Sequence, residues 1–256
     1  MANPDHHVTV LPCAGMSIAF PIAPIARRLA GLVACALLLL ACSEQGDGYY
    51  PLDDGRWWYF TTRTTILDEV AEQRLIMANI GVGKLADGTR VLIQRQSSGR
   101  EVYIRKTDRG LERSAVRIPV LAEPTRQTPS IILPAARSVG TSWQVATRLR
   151  LIESRTFARQ DKLRNRDLPL ELTMSIGSTN DAVTVPAGTF RNCIRVDGTG
   201  GRSVRTDRGN AMAKVTVEHH EWYAPGVGLV KATRSESAES PFLKAGYYAQ
   251  ELVSYR

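Results

Sequence analysis

The chain has 256 residues, 43% of them apolar, a formal charge of +8 from 33 basic and 25 acidic side chains, and four cysteines. That length suits one domain of the size common among all-β folds. If the start of the chain is a leader that is cut away before an acylated Cys42, Cys13 and Cys35 leave with it, Cys193 remains alone, and the mature protein has no internal disulfide.

Arg27 and Arg28 precede an apolar run, Leu29 to Leu40, that leads into Ala41 and Cys42. A charged start, a short apolar stretch and a small residue before the cut are the parts of a secretory signal peptide. The run is also shorter than the roughly 20 residues of a membrane-spanning helix. Residues 1–41 therefore read as a leader, with Met16 a second candidate initiator, and are set aside from the fold. Leu39-Leu40-Ala41-Cys42 resembles the bacterial lipobox, whose cysteine receives a diacylglycerol and becomes the new amino terminus. By that resemblance Cys42 is lipidated, and Ser43, where Asp would retain the chain elsewhere, directs it to the periplasmic face of the outer membrane. Acyl chains make such an anchor stable at about 0.8 kcal/mol per buried methylene.

Loss of the leader removes two of the 33 basic and one of the 25 acidic residues and leaves +7. In the envelope that charge points to anionic lipid headgroups, lipopolysaccharide phosphates or acidic glycans, and nucleic acid is not an expected partner. Mixed stretches such as "RLRLIESRTFARQDKLRNRD" at 148–167 read as solvated strand faces.

Residues 42–50, with Gly46 and Gly48 and no apolar period, read as a lipidated tether; its eight residues after Cys42 reach about 25 Å. A single domain over 51–256 follows. "LDEVAEQRL" at 67–75 fits two helical turns or a strand. From there "RLIMANIGV", "VLIQRQ", "EVYIRK" and "LERSAVRI" are separated by "ADGTR", "SSGRE" and "TDRGL", which predicts three consecutive hairpins, the first with Asp87-Gly88 in a tight turn. Pro119, Pro124, Pro129 and Pro134 mark a crossing. "SWQVATRLRLIES" puts Trp143, Val145, Leu149 and Leu151 on one face. "LPLELTMSI", "FRNCIRV", "AKVTVEHHEWY" and "GYYAQELVSYR" continue the alternation, the last with Tyr247, Val253 and Tyr255 in phase. The pattern predicts an all-β fold with at most minor α structure, a strongly curved antiparallel meander that forms an open or half barrel.

Few residues carry a chemical signature. Gly81-Val82-Gly83-Lys84 lacks the helix a phosphate loop must feed and reads as a glycine bulge. "DGTGGRSVR" at 197–205 could form an anion nest beside Arg202 and Arg205, but reads first as a flexible hairpin loop. Glu218-His219-His220-Glu221 holds the two histidines that remain after the leader. On a strand His219 and His220 point to opposite faces, so they do not share one metal ion, and no metal or cofactor site is expected. Cys193 has Arg191 and Arg195 on its face, which a nucleophile would need, yet a structural thiol is the simpler reading. Trp57, Trp58, Trp143 and Trp222 with the tyrosines could line a lipid or glycan cleft, and Trp57, Trp143, His219 and Tyr223 are the candidates singled out for it.

Three stretches, "YYPLDDGRWWYF" at 49–60, "LPAARSVGTSW" at 133–143, and "VTVPAGTFRNCIRV" at 183–196 with "WYAPGVGLVK" at 222–231, resemble a widespread group of functionally uncharacterised bacterial envelope lipoproteins. That resemblance implies a single antiparallel-sheet domain similar to the half-barrel lipoprotein carriers of the periplasm. It implies no catalytic residues. The reading that follows is a non-enzymatic, outer-membrane-anchored lipoprotein that binds an apolar ligand, a glycan or an envelope assembly partner on a curved sheet. The rival readings are an envelope hydrolase or redox enzyme using His219 or His220 with Cys193 or a carboxylate, and a purely structural lipoprotein.

Overall fold

A computed structural model describes residues 48–66, 69–154, 168–205, 211–241 and 243–256. The leader, the lipobox with Cys42 and most of the mixed-charge stretch at 148–167 lie outside the described residues. Among the described residues all regular structure is strand: β1 (Trp57–Ile66), β2 (Glu69–Lys84), β3 (Arg90–Gln96), β4 (Glu101–Thr107), β5 (Gly110–Arg117), β6 (Thr125–Pro134), β7 (Ser142–Arg148), β8 (Glu153–Ser154), β9 (Pro169–Val185), β10 (Gly188–Arg205), β11 (Met212–Ala224), β12 (Gly228–Ala238), β13 (Leu243–Lys244) and β14 (Gly246–Tyr255). The two-turn helix does not form, since Glu69 onward is the start of β2.

Twelve strands make one antiparallel sheet in the order β6-β5-β4-β3-β2-β1-β14-β12-β11-β10-β9-β7, and β8 and β13 pair separately. Two meanders, β1–β6 and β9–β14, are thus joined where β1 pairs with β14. The sheet curls until its two edges, β6 and β7, face each other across one unsealed seam, so the fold is a nearly closed barrel with a lumen. At the seam the Trp143 indole of β7 donates to the Ile131 carbonyl of β6 (Nε1···O 3.2 Å). The three predicted hairpins appear as β2–β3, β3–β4 and β4–β5, and Gly81 (φ +110°) sits in the predicted bulge between Asn79 and Val82.

Two expectations fail. "DGTGGRSVR" is not a hairpin loop but the second half of β10, paired to β11 through Arg205 and Met212. Its glycines give close approach: a Cβ on Gly198 would meet Met174 Sδ at 2.5 Å, and one on Gly200 the Glu171 carbonyl at 2.6 Å. The proline crossing is in part a strand as well, since β6 contains Pro129 and Pro134. A proline removes a ladder donor, which is tolerable because β6 is an edge.

The lumen is filled most densely between β7 and β11. Leu170, Leu172, Met174 and Ile176 of β9 meet Ile194 and Val196 of β10 and Val215 and Val217 of β11, with Trp143, Leu149 and Ile152 closing over them. Each such side chain stabilises the fold by roughly 1.5–3 kcal/mol relative to exposure. Segment 149–152 is strapped to β12 by the fully buried Glu236, whose carboxylate accepts the N–H groups of Arg150, Leu151 and Ile152 and the Arg234 Nε–H at 2.8–3.1 Å. A second cluster gathers Trp58, Phe60 and Leu252 with Val183, Val185 and Cys193 from the β9–β10 hairpin. The tip of that hairpin is fixed by the Ala187 N–H, which donates to the Leu252 carbonyl (2.9 Å).

Candidate functional site

The alternation of β11 decides what the lumen contains. Val215, Val217, His219, Glu221 and Tyr223 lie on one face, and the register carries that face onward: His219 opposes Gly198 and Arg234, Arg234 opposes Tyr248, and Glu221 opposes Val196 and Ala232, which opposes Gln250. Polar side chains therefore follow directly on the apolar filling. The Tyr223 hydroxyl donates to Glu221 Oε2 (2.7 Å), and because the carboxylate only accepts, His219 donates to Glu221 Oε1 from Nε2 (3.0 Å). Burial pushes the Glu221 carboxyl up, but the hydrogen bond and charge of His219, the Tyr223 hydroxyl and the field of Arg113 outweigh it and hold the group below its ordinary value. Burial, then the adjacent Glu221 charge, raises Tyr223 well above the usual phenol range, so it stays a donor.

Below this trio lies a cavity of about 90 Å3, lined by Tyr50, Pro51, Trp58, Phe60, Met77, Gln94, Ile132, Tyr223, Gly228 and Leu229. Its wall is apolar apart from one polar rim. There the Tyr50 hydroxyl donates to Gln94 Oε1 (3.2 Å) and Gln94 Nε2 donates to Asn79 Oδ1 (3.2 Å). Asn79 in turn donates to the carbonyls of Pro51 (3.2 Å) and Asp53 (2.9 Å). These bonds pin the chain before β1 into the barrel mouth, with the Tyr50 ring 6.3 Å from that of Tyr223. Tyr49 and Tyr50, the last residues of the expected tether, are thus packed against the sheet.

The four expected cleft residues separate. Tyr223 lines the cavity. Trp143 is 9% exposed in the densest part of the core and spans the seam. His219 lies in the lumen beyond Glu221. Trp57 alternates with the inward Trp58 and takes no part in the wall. Trp58, its neighbour among the tryptophans read as possible cleft residues, takes that place in the wall. Its phase with Phe60 and Thr62, all three buried, was the available signal.

His220 faces the opposite side of β11 from His219 and donates from Nδ1 to Asp197 Oδ1 (2.6 Å), which Arg195 also holds. Arg195 and the Trp222 indole bind Asp181 on the same outer face (3.3 and 3.1 Å). Cys193 is fully buried, and burial together with the Asp181 charge pushes its thiol up to about 11. Among the described residues no three His, Cys, Asp or Glu side chains converge as a metal site would require.

No family model matches the chain, and no curated protein matches it. Two solved structures are similar in part. One is a lipoprotein of Parabacteroides distasonis, with a TM-score of 0.38 at 16% identity, covering 83% of this chain and 100% of its own. The other is an exported protein of Bacteroides fragilis with a YmcC-like fold, with a TM-score of 0.37 at 12% identity, covering 81% of this chain and 98% of its own. Scores this low assign the chain no activity and no ligand.

Proposed function

We propose that the protein is a lipid-anchored envelope protein, attached through Cys42 to the periplasmic face of the outer membrane, that works by binding an apolar ligand in its lumen. The observation that carries this reading is the cavity under Tyr223: an apolar pocket with polar atoms confined to one rim suits a greasy group with a polar end. Its size sets how binding proceeds. About 90 Å3 is smaller than the roughly 150 Å3 cavity that holds one benzene, so the pocket takes the end of an acyl chain, and a longer stretch enters as β6 and β7 part at the seam.

Support for binding over catalysis comes from the reactive groups themselves. The Cys193 thiol at about 11 is a poor nucleophile at neutral pH, and His219 and His220 lie on opposite faces, each engaged by its own carboxylate.

Two measurements test this reading. A dansyl-labelled fatty acid should bind the wild-type protein and bind Leu229→Trp, which fills the pocket, at least tenfold more weakly; equal binding, or none to the wild type, overturns the ligand. Cys42→Ser should abolish incorporation of radiolabelled fatty acid into the protein. A variant labelled as strongly as the wild type overturns the anchor.

A further inference from the structure

We propose that the lumen also holds a phosphate group against Arg100, Arg113 and Arg150, an inference that rests on reading the lumen as a binding chamber. The register places Arg113 of β5 directly opposite Ile104 of β4. Ile104 packs with Leu92 and Val102 against Tyr50 and Ile132, so Arg113 emerges on the lumen side. Its Nε is buried and has no hydrogen-bond partner, and the same is true of Gln250 Nε2. A buried donor without an acceptor is costly and uncommon in a native structure.

Arg100, in the turn that leads into β4, feels the charges of Arg113 and of Arg150, in the strap after β7, and Arg113 feels that of Arg150. Burial first, then the like charges of Arg113 and Arg150, pulls Arg100 below its ordinary value, and burial followed by Arg150 does the same to Arg113. Among the described residues, none of the three guanidiniums makes a hydrogen bond or an ion pair. The fully or nearly buried carboxylates are committed elsewhere: Glu101 to Arg95 and Arg117, Glu112 to Arg105 and Arg109, Glu236 to Arg234. Glu221 is the carboxylate whose field reaches Arg113, and it is held by His219 and Tyr223.

Three guanidiniums against one carboxylate leave an excess of two positive charges. A phosphate monoester dianion matches that excess and a carboxylate only half matches it, and guanidinium forks suit phosphate oxygens. Solvent reaches this part of the lumen, since His219 and Glu221 keep 16% and 23% side-chain exposure although they lie inside the sheet.

The test uses the acylated mature protein, from Cys42 onward, in dodecyl maltoside at neutral pH, titrated calorimetrically with inorganic phosphate, with dihexanoyl phosphatidic acid and with phosphate-free octyl glucoside. At least one phosphate-bearing probe should bind, and Arg113→Gln and Arg100→Gln should each weaken it by tenfold or more. Without ligand, Arg113→Gln should melt at or above the wild-type temperature, because it removes an unpaired and crowded charge; a structural arginine would lower it. Binding of both phosphate probes assigns the site to the phosphate itself, and binding of phosphatidic acid alone assigns it to a lipid headgroup. The proposal is overturned if neither phosphate probe binds, if both arginine variants bind as the wild type does, or if octyl glucoside binds with the same arginine dependence. Failure of the dansyl fatty acid with retained, Arg113-dependent phosphate binding would remove the apolar pocket's role and leave this site standing.

Discussion

At the scale of single residues, charge inside the protein is distributed by pairing. Glu101 is only 4% exposed and accepts hydrogen bonds from Arg117, Arg95 and Tyr103 at 2.6–2.9 Å. The Arg117 bond lowers its carboxyl most, against burial, and brings it from an ordinary value of 4.5 to about 2. The folded protein therefore binds fewer protons here than the unfolded chain. The associated stability, about 3 kcal/mol, is fully present above pH 4.5 and is lost as pH falls toward 2. Glu101→Gln should lower unfolding free energy by about 3 kcal/mol at pH 7, because it removes the buried carboxylate that Arg117 and Arg95 hold, and the deficit should nearly vanish at about pH 2. Urea titrations of both proteins at the two pH values check this, and a deficit unchanged at low pH would rule out the coupling.

At the scale of strands, the glycines of β10 let it lie flat against β9. A methyl group on Gly200 would sit 2.6 Å from the Glu171 carbonyl and 2.7 Å from Leu172 Cδ2, whereas one on Gly48 meets nothing within 4 Å. Gly200→Ala should cost about 2 kcal/mol, as overpacking does, and Gly48→Ala should leave thermal unfolding unchanged; equal melting curves would show that β9 yields. These same glycines made β10 hard to read in the sequence, since Gly198, Gly200 and Gly201 suggest a loop as long as the neighbour they approach is unknown. The hairpins from β2 to β5 were legible because Asp87-Gly88 and its counterparts combine turn chemistry with flanking alternation. β6 was not, because its prolines are acceptable only at an edge, and edge position is a property of the whole sheet. The lumen was half legible. Alternation assigned His219 and Tyr223 to one face, but nothing local separates the inward Arg113 from solvated arginines, since its surroundings come from β4, β11 and the strap after β7.

At the scale of the whole molecule, the barrel has a continuous ladder everywhere except between β6 and β7. The Trp143 indole bond to Ile131 is the hydrogen bond that crosses there among the described residues. Trp143→Phe keeps the ring and removes the donor, so amide exchange along β6 and β7 should accelerate at least tenfold while β10 and β11 remain as protected as before. Uniform acceleration would mean that the barrel opens as a unit rather than along this line.

The pairing of β1 with β14 has a bearing on how the chain is made. Trp58 meets Tyr255 and Ile66 meets Gly246, so the middle of the sheet joins segments almost two hundred positions apart. Bringing such distant partners together costs on the order of 5 kcal/mol in loop-closure entropy, and contacts this remote in sequence slow folding. A nascent polypeptide in which β14 has not yet been made has nothing with which to complete that ladder, so the sheet stays open, and therefore threadable, until that strand emerges.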